Sequence, residues 1–341
     1  MELFLCTLVI AASTAFAVIN GGHDAPNNIA LAVRTRALTP KAALLLAAAF
    51  NFLGALLGTA LAAVFIRQFN LYLPHSDHSL IVLLVATLVA VSWGLFTWRK
   101  GMPSSSTHAL VAALLAGAFV TLLVDAPPGN PDGEGAVWQV IVAPLLLSPV
   151  LAFVVAYLGV ELMKIFTRKA SQNSVRESSR MGQAIASAAG AFGHGVQDAQ
   201  RSTAIMVLAL TSIDAIAPGE VPLWTMLLSA TAISLGTLLG GWRIAHTLAN
   251  RIVTVDTMRA FVATTASAGI VIFGAIAFHL PASSTHTSVA AIVGAGTNQA
   301  FGSVRWQEVA RIASYWLFTP LVCAIISAIL VLAISPLETL Y

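Results

Sequence analysis

Residues 103–113 read Pro103-Ser104-Ser105-Ser106-Thr107-His108-Ala109-Leu110-Val111-Ala112-Ala113, and residues 281–291 read Pro281-Ala282-Ser283-Ser284-Thr285-His286-Thr287-Ser288-Val289-Ala290-Ala291. A hydroxyl-rich segment that runs into an apolar stretch thus occurs twice. Two further pairs keep the same order along the chain. Asn20-Gly21-Gly22-His23-Asp24-Ala25 matches His194-Gly195-Val196-Gln197-Asp198-Ala199, and Gly54-Ala55-Leu56-Leu57-Gly58 matches Gly236-Thr237-Leu238-Leu239-Gly240. A single small-xxx-small match is cheap, because such packing signals are common in membrane helices. Three matches in register mark an internal repeat.

The composition fixes the solvent. Of 341 residues, 58% are apolar and 9% are charged, and the mean hydropathy is +0.86. Soluble domains carry roughly a quarter charged residues. These values exclude a soluble globular enzyme, a disordered chain and a nucleic-acid binder, and they point to a polytopic helical protein of the lipid bilayer. A helical crossing takes about 20 apolar residues. Residues 42–66, 79–98, 135–160, 221–242, 260–278 and 312–337 contain no Asp, Glu, Lys or Arg, and residues 101–124 and 280–304 add only one histidine each. Two more apolar runs are interrupted: residues 3–33 by His23-Asp24, and residues 181–213 by His194, Asp198 and Arg201. The N-terminus carries Glu2 rather than a basic flank, so it reads as part of the first membrane helix and not as a cleaved signal. Cys6 and Cys323 form no CxxC or metal-ligand spacing.

These runs give about 10–12 transmembrane segments, five long runs on each side of a polar stretch. The expected organisation is a first membrane repeat over residues 1–163, a cytoplasmic polar linker over 164–180 and a second repeat over 181–341. Five crossings is an odd number, so the second repeat is inverted. Loop charge agrees. Arg34, Arg36 and Lys41 make one loop basic, while its counterpart holds Asp214 and Glu220; the loop with Asp125, Asp132 and Glu134 is acidic. The positive-inside rule then places the linker and residues 243–259 in the cytoplasm and both termini outside, in a plasma (inner) membrane. Inverted repeats with broken helices or re-entrant hairpins at the centre are a design of secondary transporters.

Asp24 and Asp198 are the carboxylates inside long apolar runs, at one repeat position. An ionisable group at membrane depth costs on the order of 2.5–3.5 kcal/mol and marks a functional candidate. Gly21, Gly22, Gly195 and Pro26 are expected to break the helices there and free carbonyls. A carboxylate beside such oxygens suits Na⁺ or a proton. Asn20, His23 and Gln197 flank the pair and join Asp24 and Asp198 as coupling-ion candidates. The Pro-x-Ser-Ser-Thr-His segments read as helix N-termini, where free N–H groups, the dipole and hydroxyls cradle an anion. The anion candidates are Ser104, Ser105, Ser106, Thr107, Ser283, Ser284 and Thr285, joined by Asn27, Gln200 and Arg201. Arg201, three residues after Asp198, reads either as the fixed charge for the anion or as the partner of Asp198. His108 and His286 read as hydrogen-bonding core residues, as does His194. Two carboxylates repel an oxyanion, so a cation must lie between them; a cation-coupled anion carrier follows from that charge balance. An intramembrane hydrolase would need a nucleophile–base set, and neither GxSxG nor HExxH occurs.

At these residues the chain resembles the Pit-type inorganic phosphate transporter family. Residues 20–27 are similar to its Asn-Gly-x-His/Asn-Asp-x-x-Asn signature, residues 193–201 to its Ser/Gly-His-Gly-x-Asn-Asp-Ala-Gln-Lys signature, and both hydroxyl segments to its Pro-x-Ser-Thr-Thr-His pair. The resemblance spans essentially the whole chain. It implies a phosphate:cation symporter, with phosphate or a related tetrahedral oxyanion as cargo, H⁺ or Na⁺ as coupling ion, no further cofactor and no enzymatic activity. Some family members carry sulfate, and a homodimer is left open. The His23-type first motif resembles that of bacterial members thought to use protons. Gln197 stands where the family has asparagine, Arg201 where it has lysine, and Pro26 where a small residue is usual.

Overall fold

The structure, a computed structural model, describes residues 1–70, 77–124 and 138–338, and all regular structure among them is helical. In the first half these are α1 (Glu2–Arg34), α2 (Pro40–Leu57), α3 (Thr59–Asn70), α4 (Asp77–Lys100), α5 (Ser106–Val124) and α6 (Ala143–Thr167). In the second they are α7 (Gln172–Ser212), α8 (Leu223–Leu239), α9 (Trp242–His246), α10 (Thr257–Ile276), α11 (Ser284–Gln299) and α12 (Trp306–Glu338). Side-chain oxygens start several of them: Thr39 accepts from the Ala42 N–H ahead of α2, Ser171 from Ser174 ahead of α7, and Asp256 from Arg259 ahead of α10.

Among the described residues six helices are long and apolar enough to cross a membrane, or seven if the bent pair of α8 with residues 242–251 is one span. Apolar runs and helices therefore do not correspond one to one. The run 42–66 is divided at Gly58 into α2 and α3. The run 221–242 bends by 58° at Gly240-Gly241, where both glycines take the positive φ that side chains resist. The acidic loop with Asp125, Asp132 and Glu134 lies outside the described residues. The polar stretch 164–180 holds the end of α6 and the start of α7, so only residues 168–171 lie between helices there.

The expected breaks at Gly21, Gly22, Pro26 and Gly195 do not occur: α1 and α7 run straight through them. The glycines serve close approach instead. A Cβ on Gly21 would strike the Ile233 carbonyl of α8, and one on Gly236 would strike the Val18 carbonyl of α1. The other half does the same, since Gly195 faces the Asn51 carbonyl of α2 and Gly54 faces the Phe192 carbonyl of α7. Backbone-to-backbone crossing of this kind is how membrane helices gain dispersion contact without a hydrophobic drive between them. Pro26 removes one donor, so the Gly22 carbonyl loses its i+4 partner within α1.

Packing is exchanged between the halves. α2 lies on α7, and its counterpart α8 lies on α1; α5 packs against α12, and its counterpart α11 against α6. Within each half, α1 meets α4 and α4 meets α5, as α7 meets α10 and α10 meets α11. Beside the α4–α5 and α10–α11 connections, side chains of these helices reach α1 and α7. Thr97, near the end of α4, bonds His23 inside α1, and Gln197 inside α7 bonds Val271 near the end of α10. Outside, α6 and α12 expose Leu147, Leu151, Leu158, Leu317, Leu321 and Ile329. Apolar surface outside and polar side chains inside suit a hydrocarbon solvent.

Candidate functional site at the crossing of α1 and α7

Asp24, Asp198 and Arg201 are each 1% exposed. The Asp24 carboxylate has neutral or titratable neighbours. Its Oδ1 lies 2.9 Å from His23 Nδ1 and accepts the Thr285 hydroxyl at 2.9 Å. Its Oδ2 accepts from Ser284 at 3.4 Å and lies 3.7 Å from His194 Nε2. Thr285 gives its single proton to Asp24, so its oxygen accepts from Asn27 Nδ2 at 3.1 Å. That leaves Asn27 Oδ1 buried with no hydrogen-bond partner among the described residues.

Asp198 is surrounded by donors. Arg201 Nη1 pairs with Oδ1 at 2.6 Å, one helical turn away on α7. His194 Nε2 lies 2.9 Å from Oδ2, and Asn20 Nδ2 donates to the same oxygen at 3.4 Å. Arg201 is thus the ion-pair partner of Asp198, one of the two readings its spacing allowed. The guanidinium makes no hydrogen bond among the described residues, so its Nε and Nη2 are buried there without an acceptor. A buried unpaired donor costs roughly 1–3 kcal/mol, and more when charged. His194 links the halves. It faces both aspartates, and one oxygen of each lies within 4.8 Å of the others and of a ring nitrogen of His194, close enough for one ion.

The hydroxyl segments are brought to the same place but are used unequally. Ser105 and Ser283 cap their helices, accepting the His108 and His286 N–H at 3.3 and 3.2 Å. Ser104 donates to Thr97 and lies 3.5 Å from His23 Nε2. Ser106 donates to Asn20 Oδ1 at 2.8 Å. Thr107 is buried beside them. Asn20, His23, Ser104 and Ser106 line a cavity of about 10 Å³, roughly the space of one water.

Two expected site residues are occupied elsewhere. Gln197 is tied to the second connection, with Nε2 donating to the Val271 carbonyl at 2.6 Å and Oε1 accepting from the Ala282 N–H at 2.8 Å. Gln200 turns to α2, donating to the Ala55 carbonyl. Other central residues had no role in the sequence reading. Asn51 Oδ1 lies 2.9 Å from His194 Nδ1, and Asn51 Nδ2 donates to Thr237. Trp316 donates to the Pro103 carbonyl and stacks on His286 at 4.1 Å between ring centroids, so one side chain touches both hydroxyl segments. His286 in turn lies 4.6 Å from His108. Asn51 and Thr237 were findable as polar residues inside apolar runs; Trp316 carries no such signal.

Fold and site together define a polytopic helical membrane protein whose centre gathers carboxylates, a guanidinium and hydroxyl donors from two matching halves. The sequence pattern of the phosphate transporter family matches residues 20–327, and the chain belongs to that family, one of transporters rather than enzymes. Among its relatives is a protein of Bacillus subtilis (strain 168) named "Probable low-affinity inorganic phosphate transporter", 33% identical over 96% of both chains. Another is the low-affinity inorganic phosphate transporter PitB of Escherichia coli (strain K12), 31% identical over 61% of this chain and 46% of that one. A solved structure titled "The sodium-dependent phosphate transporter" superposes with a TM-score of 0.79 over 97% of this chain and 99% of the other, at 19% identity. That likeness is one of fold.

Proposed function

We propose that this protein carries inorganic phosphate across a membrane together with Na⁺ or H⁺. Two inverted five-span repeats with re-entrant α4–α5 and α10–α11 hairpins would alternately open the centre to each side. Both termini then lie outside a plasma membrane and residues 164–180 in the cytoplasm. The observation that carries the reading is Arg201: buried, paired to Asp198 on one side, with free Nε and Nη2 donors on the other. Planar donors of this kind suit a tetrahedral oxyanion. The hydroxyls of Ser104, Ser106, Ser284 and Thr285 add neutral donors around it.

The cavity beside Asn20, His23 and Ser106 has room for about one water, and Arg201, Asp24, Ser284 and Thr285 do not line it. Admission of phosphate to the buried Arg201 and Asp24 then requires the hairpin turns to part from α1 and α7. Partition breaks the bonds from Thr285 and Ser284 to Asp24 and from Ser106 to Asn20, and frees those groups for cargo. A cation at Asp24 replaces the lost donors and offsets the charge of the anion. Charge balance thus favours loading of both ions before closure, which is the basis of symport.

Uptake of labelled phosphate into proteoliposomes under imposed Na⁺ or pH gradients tests this, with unlabelled sulfate as competitor. The expected result is gradient-driven phosphate uptake that is lost in Asp24→Asn, with phosphate exchange retained. Absence of phosphate flux under every gradient sinks the reading, and stronger displacement by sulfate than by phosphate reassigns the cargo.

A further inference from the structure

Repeat register pairs Asn27 with Arg201, because both stand three residues after the aspartate of their half. The two positions do opposite things. Asn27 presents a carbonyl oxygen, buried and unpartnered, beside Thr285 and Asp24. With the Asp24 carboxylate and the Ser284 and Thr285 oxygens it makes a set of hard oxygen ligands, since a hydroxyl that donates to a carboxylate can turn its lone pairs to a cation. At Asp198 the corresponding acceptor is replaced by a guanidinium. Oδ1 is taken by Arg201, and Oδ2 by His194 and Asn20. A mobile cation there would meet a fixed positive charge, and arginine does not lose its proton in proteins. The other titratable group facing both carboxylates is His194 of α7, and the remaining one at Asp24 is His23 of α1.

We propose that Arg201 takes the place of a coupling cation at Asp198, so that Asp24 is the single exchangeable cation site and one monovalent cation accompanies each oxyanion. This rests on the phosphate-carrier reading above and adds its coupling ratio. Arg201 then has two simultaneous tasks: Nη1 neutralises Asp198, and Nε and Nη2 remain for the anion.

The ratio is read as a balance point. Proteoliposomes are voltage-clamped, a cation gradient (Na⁺, or protons if Na⁺ drives no uptake) is imposed, and the phosphate gradient that stops net flux is measured. For the native chain, a tenfold cation gradient should balance about a tenfold phosphate gradient, whereas two coupled cations would balance about a hundredfold one, because free energies scale with the logarithm of each ratio. Arg201→Asn, which restores the acceptor of the first half, should move the balance toward about a hundredfold, and Arg201→Lys should leave it at about tenfold. A native balance at a hundredfold overturns the proposal, as does an active Arg201→Asn protein that stays at tenfold. If Arg201→Asn fails to fold, the native and Arg201→Lys balance points decide. A native chain that moves no phosphate at all removes the carrier reading itself and this ratio with it, whereas phosphate flux at the wrong ratio removes only the ratio.

Discussion

Gly21 of α1 and Gly236 of α8 meet at a crossing so close that a Cβ on either would collide with backbone of the other helix. The second half repeats the relationship with Gly195 and Gly54. Backbone cannot yield as a flexible side chain does. Overpacking a well-filled contact costs about 1–3 kcal/mol and occasionally more. Gly21→Ala and Gly195→Ala should therefore each lower the thermal unfolding midpoint in detergent, and Gly269→Ala, which adds its Cβ to open space on the helix α10, is the matched control for added bulk. Unchanged midpoints for both crossing variants would mean that the helices are not in backbone contact.

Gln197 fixes the turn before α11 through two backbone groups, the Val271 carbonyl and the Ala282 N–H. Gln197→Ala orphans the Ala282 N–H, at roughly 1–3 kcal/mol, while the Val271 carbonyl keeps its place in the α10 ladder. Faster amide hydrogen exchange over residues 277–283, measured by mass spectrometry, is the expected outcome. Exchange there identical to that of the native chain would show that the turn is held by other contacts.

The hydroxyls divide into caps and donors, and the two kinds should respond differently. Ser105→Ala with Ser283→Ala removes two caps, typically about 1 kcal/mol each, and should reduce stability. Thr285→Val keeps the shape but removes the donor to Asp24 and the acceptor for Asn27. Hydrogen bonds to charged groups are worth about 1.5–3 kcal/mol, so the cation concentration for half-maximal uptake should shift by about tenfold or more. The direction is upward if the Thr285 oxygen ligates the cation. A cap double mutant with the larger shift in cation dependence would reverse this division.

Inverted repeats make a prediction about sides. Single cysteines placed within residues 34–41 and 214–220 should be labelled from opposite faces of the membrane by an impermeant thiol reagent. By the positive-inside rule, Arg34, Arg36 and Lys41 make the cytoplasmic face the expected side for the first segment. Labelling of both from one face would contradict the inversion.

The sequence by itself determined the solvent and the chemistry to look for. Scarce charge and long apolar runs require a bilayer, because few uncharged helices can be soluble. Three matched segments in order point to two related halves. Paired aspartates and hydroxyl segments name the groups of the centre, since each is costly in an apolar run unless it is used. Partners at long separation were decided only by the tertiary structure. Asp24 finds Thr285 across 261 residues, and Asn51 finds Thr237 across 186, because α11 meets α1 and α8 meets α2 from the other half of the chain. The same exchange turned Gly21 and Gly195 from expected helix breaks into crossing points. A glycine weakens a helix by about 1 kcal/mol at most positions, and a neighbouring backbone in contact more than offsets that. Local sequence encodes the weakness; only the arrival of the other half supplies the contact.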